Sequence, residues 1–238
     1  MIFDFNKEHD ILKSIILRQR FYFLNVMKLL LHAGTHKTAT TEFQETCYAN
    51  HELLSESGLF YPINDLLSEN FGISSLSTQK SFKQHSFLQR LAVKNDKSST
   101  FQFFKDSFQQ ARQLNCPLTL CSGEDLESAL IDNSIVTFIE KEAKRAGYDD
   151  IEWIFVKRNS FDYYASLYSQ LASQATVCDP LTLLQSIQKH GYYSVSNAVG
   201  VFHYVFDIIQ RCEKFKAFTS GSVRIIPFEK FIENGAFA

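Results

Sequence analysis

The chain has 238 residues, of which 45% are hydrophobic and 21% charged, a composition typical of folded globular proteins and not of disordered ones. Lys and Arg total 24 and Asp and Glu total 26, so the formal net charge of −2 excludes a global basic field that would attract nucleic acid. The five cysteines lack paired metal-ligand spacing, which argues against a zinc site or a disulfide framework and favours the reducing cytoplasm; they are Cys47, Cys116, Cys121, Cys178 and Cys212.

Residues 1–26 are predicted to be an extension of the folded unit. Their apolar runs are interrupted by Lys13, Arg18 and Arg20, so no stretch reaches the ~20 residues of a membrane span. No small-residue cleavage site of the secretory kind follows. Met27 directly precedes the first predicted strand and is a second possible start of translation. We therefore expect a single α/β domain over residues 27–238.

The first predicted strand covers residues 28–32, whose apolar run is typical of a buried parallel strand. It leads into Gly34-Thr35-His36-Lys37-Thr38-Ala39-Thr40-Thr41, and a helix is predicted over 40–56. Free N–H groups and the helix dipole make such a helix N-terminus a natural anion site. Gly34 is expected to permit a tight turn close to the ligand, and Lys37 to supply a mobile positive charge. The hydroxyls expected to donate to an anion are those of Thr38, Thr40 and Thr41.

The spacing in this loop differs from that of the nucleotide triphosphatase loop. There, four residues separate two glycines, and Lys and Ser or Thr follow directly. Here Lys37 lies three residues after a single glycine and the threonines follow it. A positive φ at Ala39 would strain the backbone, because alanine carries a Cβ.

The remaining elements are predicted from apolar periodicity and turn residues. In chain order they are a strand at 59–62, a loop at 63–80, helices at 81–94 and 99–114, a strand at 117–121, a helix at 134–145, a strand at 151–157, a helix from 160, helices at 180–189 and 196–214, a strand at 222–228 and a helical turn at 229–232. The aromatic residues Phe101, Phe104 and Phe108 are expected in the core, and His203 is expected to have a structural role on the helix 196–214. Strands that alternate with helices predict a parallel sheet covered by helices.

Two polar residues follow the predicted strand 117–121. Because ligands of open α/β sheets gather at the carboxyl ends of the strands, Ser122 and Glu124 are candidates for chemistry. Alternatively, Ser122 caps the following short helix and Glu124 stabilises its first turn. The sequence leaves both interpretations open.

Two segments resemble sulfotransferases that use 3′-phosphoadenosine 5′-phosphosulfate (PAPS). The order Gly-Thr-His-Lys-Thr-x-Thr-Thr is similar to the 5′-phosphosulfate loop of the bacterial branch, with Ala39 where that family has glycine. Arg158 at a strand end, followed by Asp162, Ser166 and Leu-Tyr-x-Gln, resembles the family's 3′-phosphate motif, although Asn159 stands where a proline often follows the arginine. The resemblance covers about residues 28–232 and implies a three-layer, P-loop-like fold with a central parallel sheet.

The resemblance also implies an activity: transfer of a sulfuryl group from PAPS to a hydroxyl or amine of a small-molecule, lipid or carbohydrate acceptor, without a metal. Residues 34–41 would hold the 5′-phosphosulfate, and Arg158 and Ser166 the 3′-phosphate. Lys37, Thr38 and the N–H groups of the loop would stabilise the charge that develops on the bridging oxygen. The candidates for a general base are Glu124 first, then Glu42, His36 and Glu45.

Two other hypotheses remain at this point. One is a P-loop kinase or hydrolase, which would depend on magnesium. The other is a non-catalytic module that binds a nucleotide or a protein. Ala39 motivates the second, and so does the end of the chain at residue 238, before the segment that closes over the nucleotide in relatives.

Overall fold

The computed structural model of the protein describes residues 26–63, 85–173, 179–197 and 200–234. The strands are β1 (Lys28–His32), β2 (Leu59–Phe60), β3 (Leu118–Ser122), β4 (Asp150–Lys157), β5 (Tyr192–Asn197), β6 (Gly200–Val205) and β7 (Ser222–Pro227). The α-helices are α1 (Thr40–Ala49), α2 (His51–Glu56), α3 (Phe87–Val93), α4 (Lys97–Gln113), α5 (Asn133–Ala146), α6 (Ser160–Ser173), α7 (Pro180–His190), α8 (Ile208–Phe215) and α9 (Phe228–Asn234), and a 3-10 helix covers Glu124–Leu130. Most of the predicted N-terminal extension and of the loop at 63–80 lies outside the described residues.

A five-stranded parallel sheet forms the centre of the fold, in the order β2-β3-β1-β4-β7. The central strand β1 pairs Lys28 with Leu118 of β3 on one side and with Asp150 of β4 on the other. Its nearly continuous apolar run fits this place, because a central parallel strand is buried on both faces. The structure thus confirms the predicted α/β fold with a central parallel sheet.

Helices cover both faces of the sheet, as the alternation of side chains along β1 shows. Leu29 and Leu31 belong to a buried cluster that includes residues of α3, α4, α5 and α8. Leu30 points the other way, into a cluster with residues of α1, α2 and α9. Each of these leucines is at most 5% exposed, and such burial contributes roughly 1.5–3 kcal/mol per side chain. The arrangement is compatible with a three-layer α/β fold.

Four of the described helices begin with an aspartate that accepts a hydrogen bond from a backbone N–H of the first turn. These N-cap residues are Asp96 of α4, Asp132 of α5, Asp179 of α7 and Asp207 of α8. The start of α7 at Asp179-Pro180 is predicted from the sequence, and the structure confirms it. Gly147 and Gly191 end α5 and α7 with positive φ, as expected for glycine after a helix.

The predicted helix at 196–214 is wrong in its first half. That part of the chain instead belongs to the antiparallel hairpin β5–β6, which begins at Tyr192, and the helix α8 begins only at Ile208, after the cap at Asp207. Tyr193, Val195, Phe202 and Tyr204 pack on the Tyr163 face of α6. Alternating aromatic and β-branched residues suit a half-buried strand, and this contact outweighs the helical spacing. His203 therefore lies on β6, where its Nδ1 pairs with Ser194 Oγ.

Two smaller differences concern helices. The predicted helix 40–56 is divided at Asn50, which ends α1 with φ −117° and begins α2. On α4 the buried aromatics are Phe103 and Phe104, while Phe101 is partly buried beneath the Arg145 guanidinium at 4.2 Å. Phe108 contacts Tyr148 at the core margin. Phe104 lies in the core and Phe108 packs against it, whereas Phe101 belongs to none of the described core clusters, and the sequence interpretation missed Phe103.

Candidate functional site

The carboxyl ends of β1, β3 and β4 meet at one edge of the sheet. After β1, the next strand of this sheet along the chain is β2, which lies on one side of β1. After β4, the next strand of this sheet is β7, which lies on the other side. In open α/β sheets, ligands bind where successive connections diverge in this way. The loop 33–39 begins at this position, and its first N–H, from Ala33, donates to the Ile154 carbonyl of β4. This segment is called the β1–α1 loop below.

The β1–α1 loop contains two residues with left-handed backbone conformation, Lys37 at φ 65° and Ala39 at φ 56°. Ala39 is also the N-cap position of α1 and makes no side-chain capping bond. Among the described residues, the N–H groups of Ala39, Thr40 and Thr41 find no acceptor. Three free donors at the positive end of a ten-residue helix form a favourable environment for an anion.

Ala39→Gly is expected to stabilise the protein, because glycine adopts positive φ without the steric cost that an L side chain meets there. The gain is limited by the greater freedom of glycine in the unfolded chain, so we expect up to about 1 kcal/mol, or roughly 2–4 °C in Tm. Thermal unfolding monitored by circular dichroism measures it. Ala49→Gly, inside the last turn of α1, is the control and should lower Tm.

The threonine hydroxyls of the loop have different partners. Thr35 Oγ1 donates to the Val156 carbonyl at 2.9 Å and fastens the loop to β4. Thr38 Oγ1 donates to the Thr35 carbonyl at 2.5 Å, so the 3.2 Å contact between Thr38 and Thr40 requires Thr40 as the donor. Thr41 is partly buried, and its hydroxyl has no partner in the part of the chain that the structure describes. Thr41 is thus the threonine most available to a ligand.

Gly34 is needed for packing and not for a positive φ. A Cβ at this position would lie 2.6 Å from Nε2 of the buried His32 and 3.1 Å from Thr40 Oγ1. The tight turn predicted at Gly34 is instead made three residues later, at Lys37. The glycine allows the loop to pass directly over the imidazole at the end of β1.

Two cationic side chains lie at the loop. Lys37 is partly exposed, and its ammonium makes no ion pair within the described ranges. Arg158 follows β4, donates from Nη1 to the Lys37 carbonyl at 2.6 Å and lies over the Phe228 ring at 4.9 Å. Arg158 Nε is buried and has no acceptor there. The structure thus brings together Lys37 and Arg158, which are 121 residues apart in the sequence.

His36 is buried at 6% exposure and does not face solvent. Its backbone N–H and its Nδ1 both contact Glu127 Oε2, at 3.0 and 2.9 Å, and its Nε2 lies 3.5 Å from Asp125 Oδ1. Burial lowers the pKa of the imidazole, but hydrogen bonds to the Asp125 and Glu127 carboxylates raise it, and the net pKa lies well above its ordinary value. A protonated His36 is a poor general base.

The three carboxylates predicted as bases differ in position. Glu124 is half-buried in the first turn of the 3-10 helix, and its charge is felt by His36. Glu42 and Glu45 lie on exposed positions of α1. The N-cap of the 3-10 helix is Gly123, so the proposed capping role of Ser122 is wrong, whereas Glu124 does lie in the first turn.

Ser122 belongs to a buried network behind the loop that the sequence interpretation missed. Its Oγ contacts His32 Nδ1 at 2.8 Å and accepts from Gln44 Nε2 at 3.1 Å, and its N–H donates to His85 Nδ1 at 2.9 Å. Burial lowers the pKa of His32 to about 3 and that of His85 to about 4, so both imidazoles are neutral at pH 7. The sequence signal for this network was His32, a histidine at the end of the apolar run of β1.

Ser166 lies two turns into α6 and is partly buried. It makes no hydrogen bond to Arg158 or to any other described residue. Its role as a phosphate ligand stays a prediction.

Comparison of the chain with protein-family models, with curated proteins and with solved structures gave no match. Within the described segments, no group of three or more His, Cys, Asp or Glu side chains is arranged to hold a metal ion. None of the helices described is both long and apolar enough to cross a lipid bilayer.

Proposed function

We propose that the protein transfers a sulfuryl group from PAPS to a hydroxyl or amine of an acceptor. The observation that carries the proposal is the junction of the β1–α1 loop with α1, where the N–H groups of Ala39, Thr40 and Thr41 are free, Lys37 lies two residues before Ala39, and the Arg158 guanidinium donates to the Lys37 carbonyl. Donors and cations at one strand edge suit a ligand with several anionic groups.

The order of residues in the loop favours a phosphosulfate over a nucleoside triphosphate. A triphosphate loop places Lys directly after its second glycine, and the Ser or Thr that follows binds Mg²⁺. Here the only glycine of the loop is Gly34, and both residues with left-handed backbone, Lys37 and Ala39, carry side chains. The order Gly-Thr-His-Lys-Thr-x-Thr-Thr resembles the phosphosulfate loop instead.

In the proposed reaction, the bond between sulfur and the bridging oxygen of the 5′-phosphate breaks while the acceptor oxygen or nitrogen bonds to sulfur. The bridging oxygen gains negative charge, which Lys37 and the N–H groups of the loop stabilise. The proton of the acceptor passes to a base, for which Glu124 is the best placed of the predicted carboxylates. It is half-buried at the carboxyl end of β3, next to β1, whereas Glu42 is exposed on α1.

Adenosine 3′,5′-bisphosphate, the product of this reaction, is expected to stabilise the protein against heat. At ~100 times its Kd a ligand adds about 2.7 kcal/mol to the free energy of unfolding, worth roughly 5–10 °C in a domain of this size. Thermal unfolding with the bisphosphate, and in parallel with ATP and Mg²⁺, measures it.

The outcomes separate the hypotheses. Stabilisation by ATP with Mg²⁺ alone would support a P-loop kinase or hydrolase and contradict the proposal. Stabilisation by the bisphosphate, without release of bisphosphate from PAPS in the presence of a broad panel of hydroxyl and amine acceptors, would support a non-catalytic module.

A further inference from the structure

The side chain of Glu127 lies between the β1–α1 loop and the hairpin β5–β6. It comes from the 3-10 helix after β3 and is 0% exposed. Oε2 accepts from the backbone N–H of His36 at 3.0 Å and contacts its ring Nδ1 at 2.9 Å, while Oε1 accepts from the Val205 N–H of β6 at 2.5 Å. One carboxylate thus satisfies groups on two segments that are distant in the sequence.

We propose that Glu127 is the positioning residue of the β1–α1 loop: it fixes the backbone and ring of His36 and ties both to β6. This inference rests on the proposed function, because the positioned loop is the donor site. The loop contacts of Glu127 are both made to His36, three to five residues before the free N–H groups of Ala39, Thr40 and Thr41, so the carboxylate sets where those groups point.

The surroundings of His36 indicate that the His36–Glu127 pair holds the loop in place and does not bind the ligand. Asp125 and Glu124 face the imidazole from the 3-10 helix, and Tyr204 of β6 contacts it edge-on at 4.9 Å between ring centroids. Tyr163 of α6 lies near Glu127, and its pKa is raised by burial and by the nearby carboxylates. The His36 N–H points at Glu127 and is therefore withdrawn from an anion in the loop.

Glu127→Gln tests the proposal because the side chain keeps its size but gains an NH₂ group. That group must face either the Val205 N–H or the His36 donors, so one of the two attachments is lost. We expect the Kd for adenosine 3′,5′-bisphosphate to rise at least about tenfold, which is the usual size for the loss of one hydrogen bond to a charged group. Isothermal titration calorimetry measures it.

The direction of the change in Kd distinguishes a positioning role of Glu127 from a purely electrostatic one. Removing a negative charge next to an anion site tightens binding if the carboxylate acts only through its charge. Unchanged or tighter binding in Glu127→Gln would therefore overturn the proposal. Glu140→Gln is the matched control: Glu140 is 4% exposed and accepts from Trp153 Nε1 at 2.9 Å and from the Ser220 N–H at 2.9 Å, outside the loop. It should lower Tm and leave the Kd unchanged.

Amide hydrogen exchange of the unsubstituted protein, followed by NMR, needs neither a ligand nor a variant. The His36 and Val205 amides should both be strongly protected and should exchange at similar rates, because they donate to the two oxygens of one buried carboxylate. Fast exchange of either amide overturns the proposal even if Glu127→Gln fails to fold. If both amides are protected but no bisphosphate binds, the proposed function is wrong, while the positioning of the loop by Glu127 is still supported.

Discussion

Lys37→Ala should slow the release of adenosine 3′,5′-bisphosphate from PAPS about 100- to 1000-fold, the usual cost of losing one group that stabilises transition-state charge. The ammonium has no other described partner, so its loss leaves the packing of the loop intact. Alanine also keeps the Cβ at φ 65°, and the backbone cost at this position does not change. Release in the presence of a reactive hydroxyl acceptor, or slow hydrolysis by water, can be followed by chromatography.

Lys157→Ala is the matched control for this measurement. Lys157 is the exposed last residue of β4, next to Arg158, and its replacement removes the same charge from the same edge of the sheet. We expect a change of less than about threefold, since exposed charges are screened by salt. Equal rates for the two variants would show that Lys37 acts only through the overall electrostatic field of the protein. That result would contradict the proposed stabilisation of charge on the bridging oxygen by Lys37.

Arg158→Ala should weaken binding of adenosine 3′,5′-bisphosphate about 10- to 100-fold, which corresponds to the 1.5–3 kcal/mol typical of hydrogen bonds to charged groups. The guanidinium is held by the Lys37 carbonyl at 2.6 Å and by the Phe228 ring, and Nε has no described acceptor. Arg158→Lys should recover little, because an ammonium lacks the planar fork. Calorimetric titration with the bisphosphate gives both values.

Adenosine 5′-monophosphate shows which phosphate Arg158 binds. If the guanidinium holds the 3′-phosphate, Arg158→Ala should lower affinity for the bisphosphate and leave the affinity for the monophosphate unchanged. A loss for both ligands would instead place Arg158 at the 5′-phosphate. Arg145→Ala removes an arginine that also lies over an aromatic ring, at 4.2 Å from Phe101, and should affect neither ligand. Unchanged binding of both in Arg158→Ala would exclude Arg158 from the site.

The fold class could be predicted because its signals are local. The apolar run of β1, the strand before Arg158 and the Asp-Pro start of α7 each lie within ten residues, and the structure confirms all three. The hairpin β5–β6 could not be predicted, since its strand conformation depends on packing against α6, an element from elsewhere in the chain. The helical spacing of Val205, Ile208 and Cys212 extended the pattern of α8 too far towards the N-terminus.

The residues of the candidate site likewise divide into those that a local sequence pattern predicts and those that it does not. The β1–α1 loop and Arg158 were visible as short patterns at strand ends, and the structure places them in contact. No local sequence pattern predicts the role of Glu127, because its partners are 91 and 78 residues away. Its carboxylate is buried between segments that meet only when β1, β3 and β6 have come together. His32 and Gln44 likewise became recognisable as a network only through Ser122 of the neighbouring strand.

The two left-handed residues of the loop have a consequence for how a ligand is received. Each non-glycine residue in this conformation costs about 1–2 kcal/mol, and the packing around Lys37 and Ala39 offsets that cost during folding. Under the proposed function, the donor groups would already be oriented before the anion binds, so association need not be accompanied by a large loss of backbone entropy. The stability lost at Lys37 and Ala39 would then be the cost of a preorganised anion site.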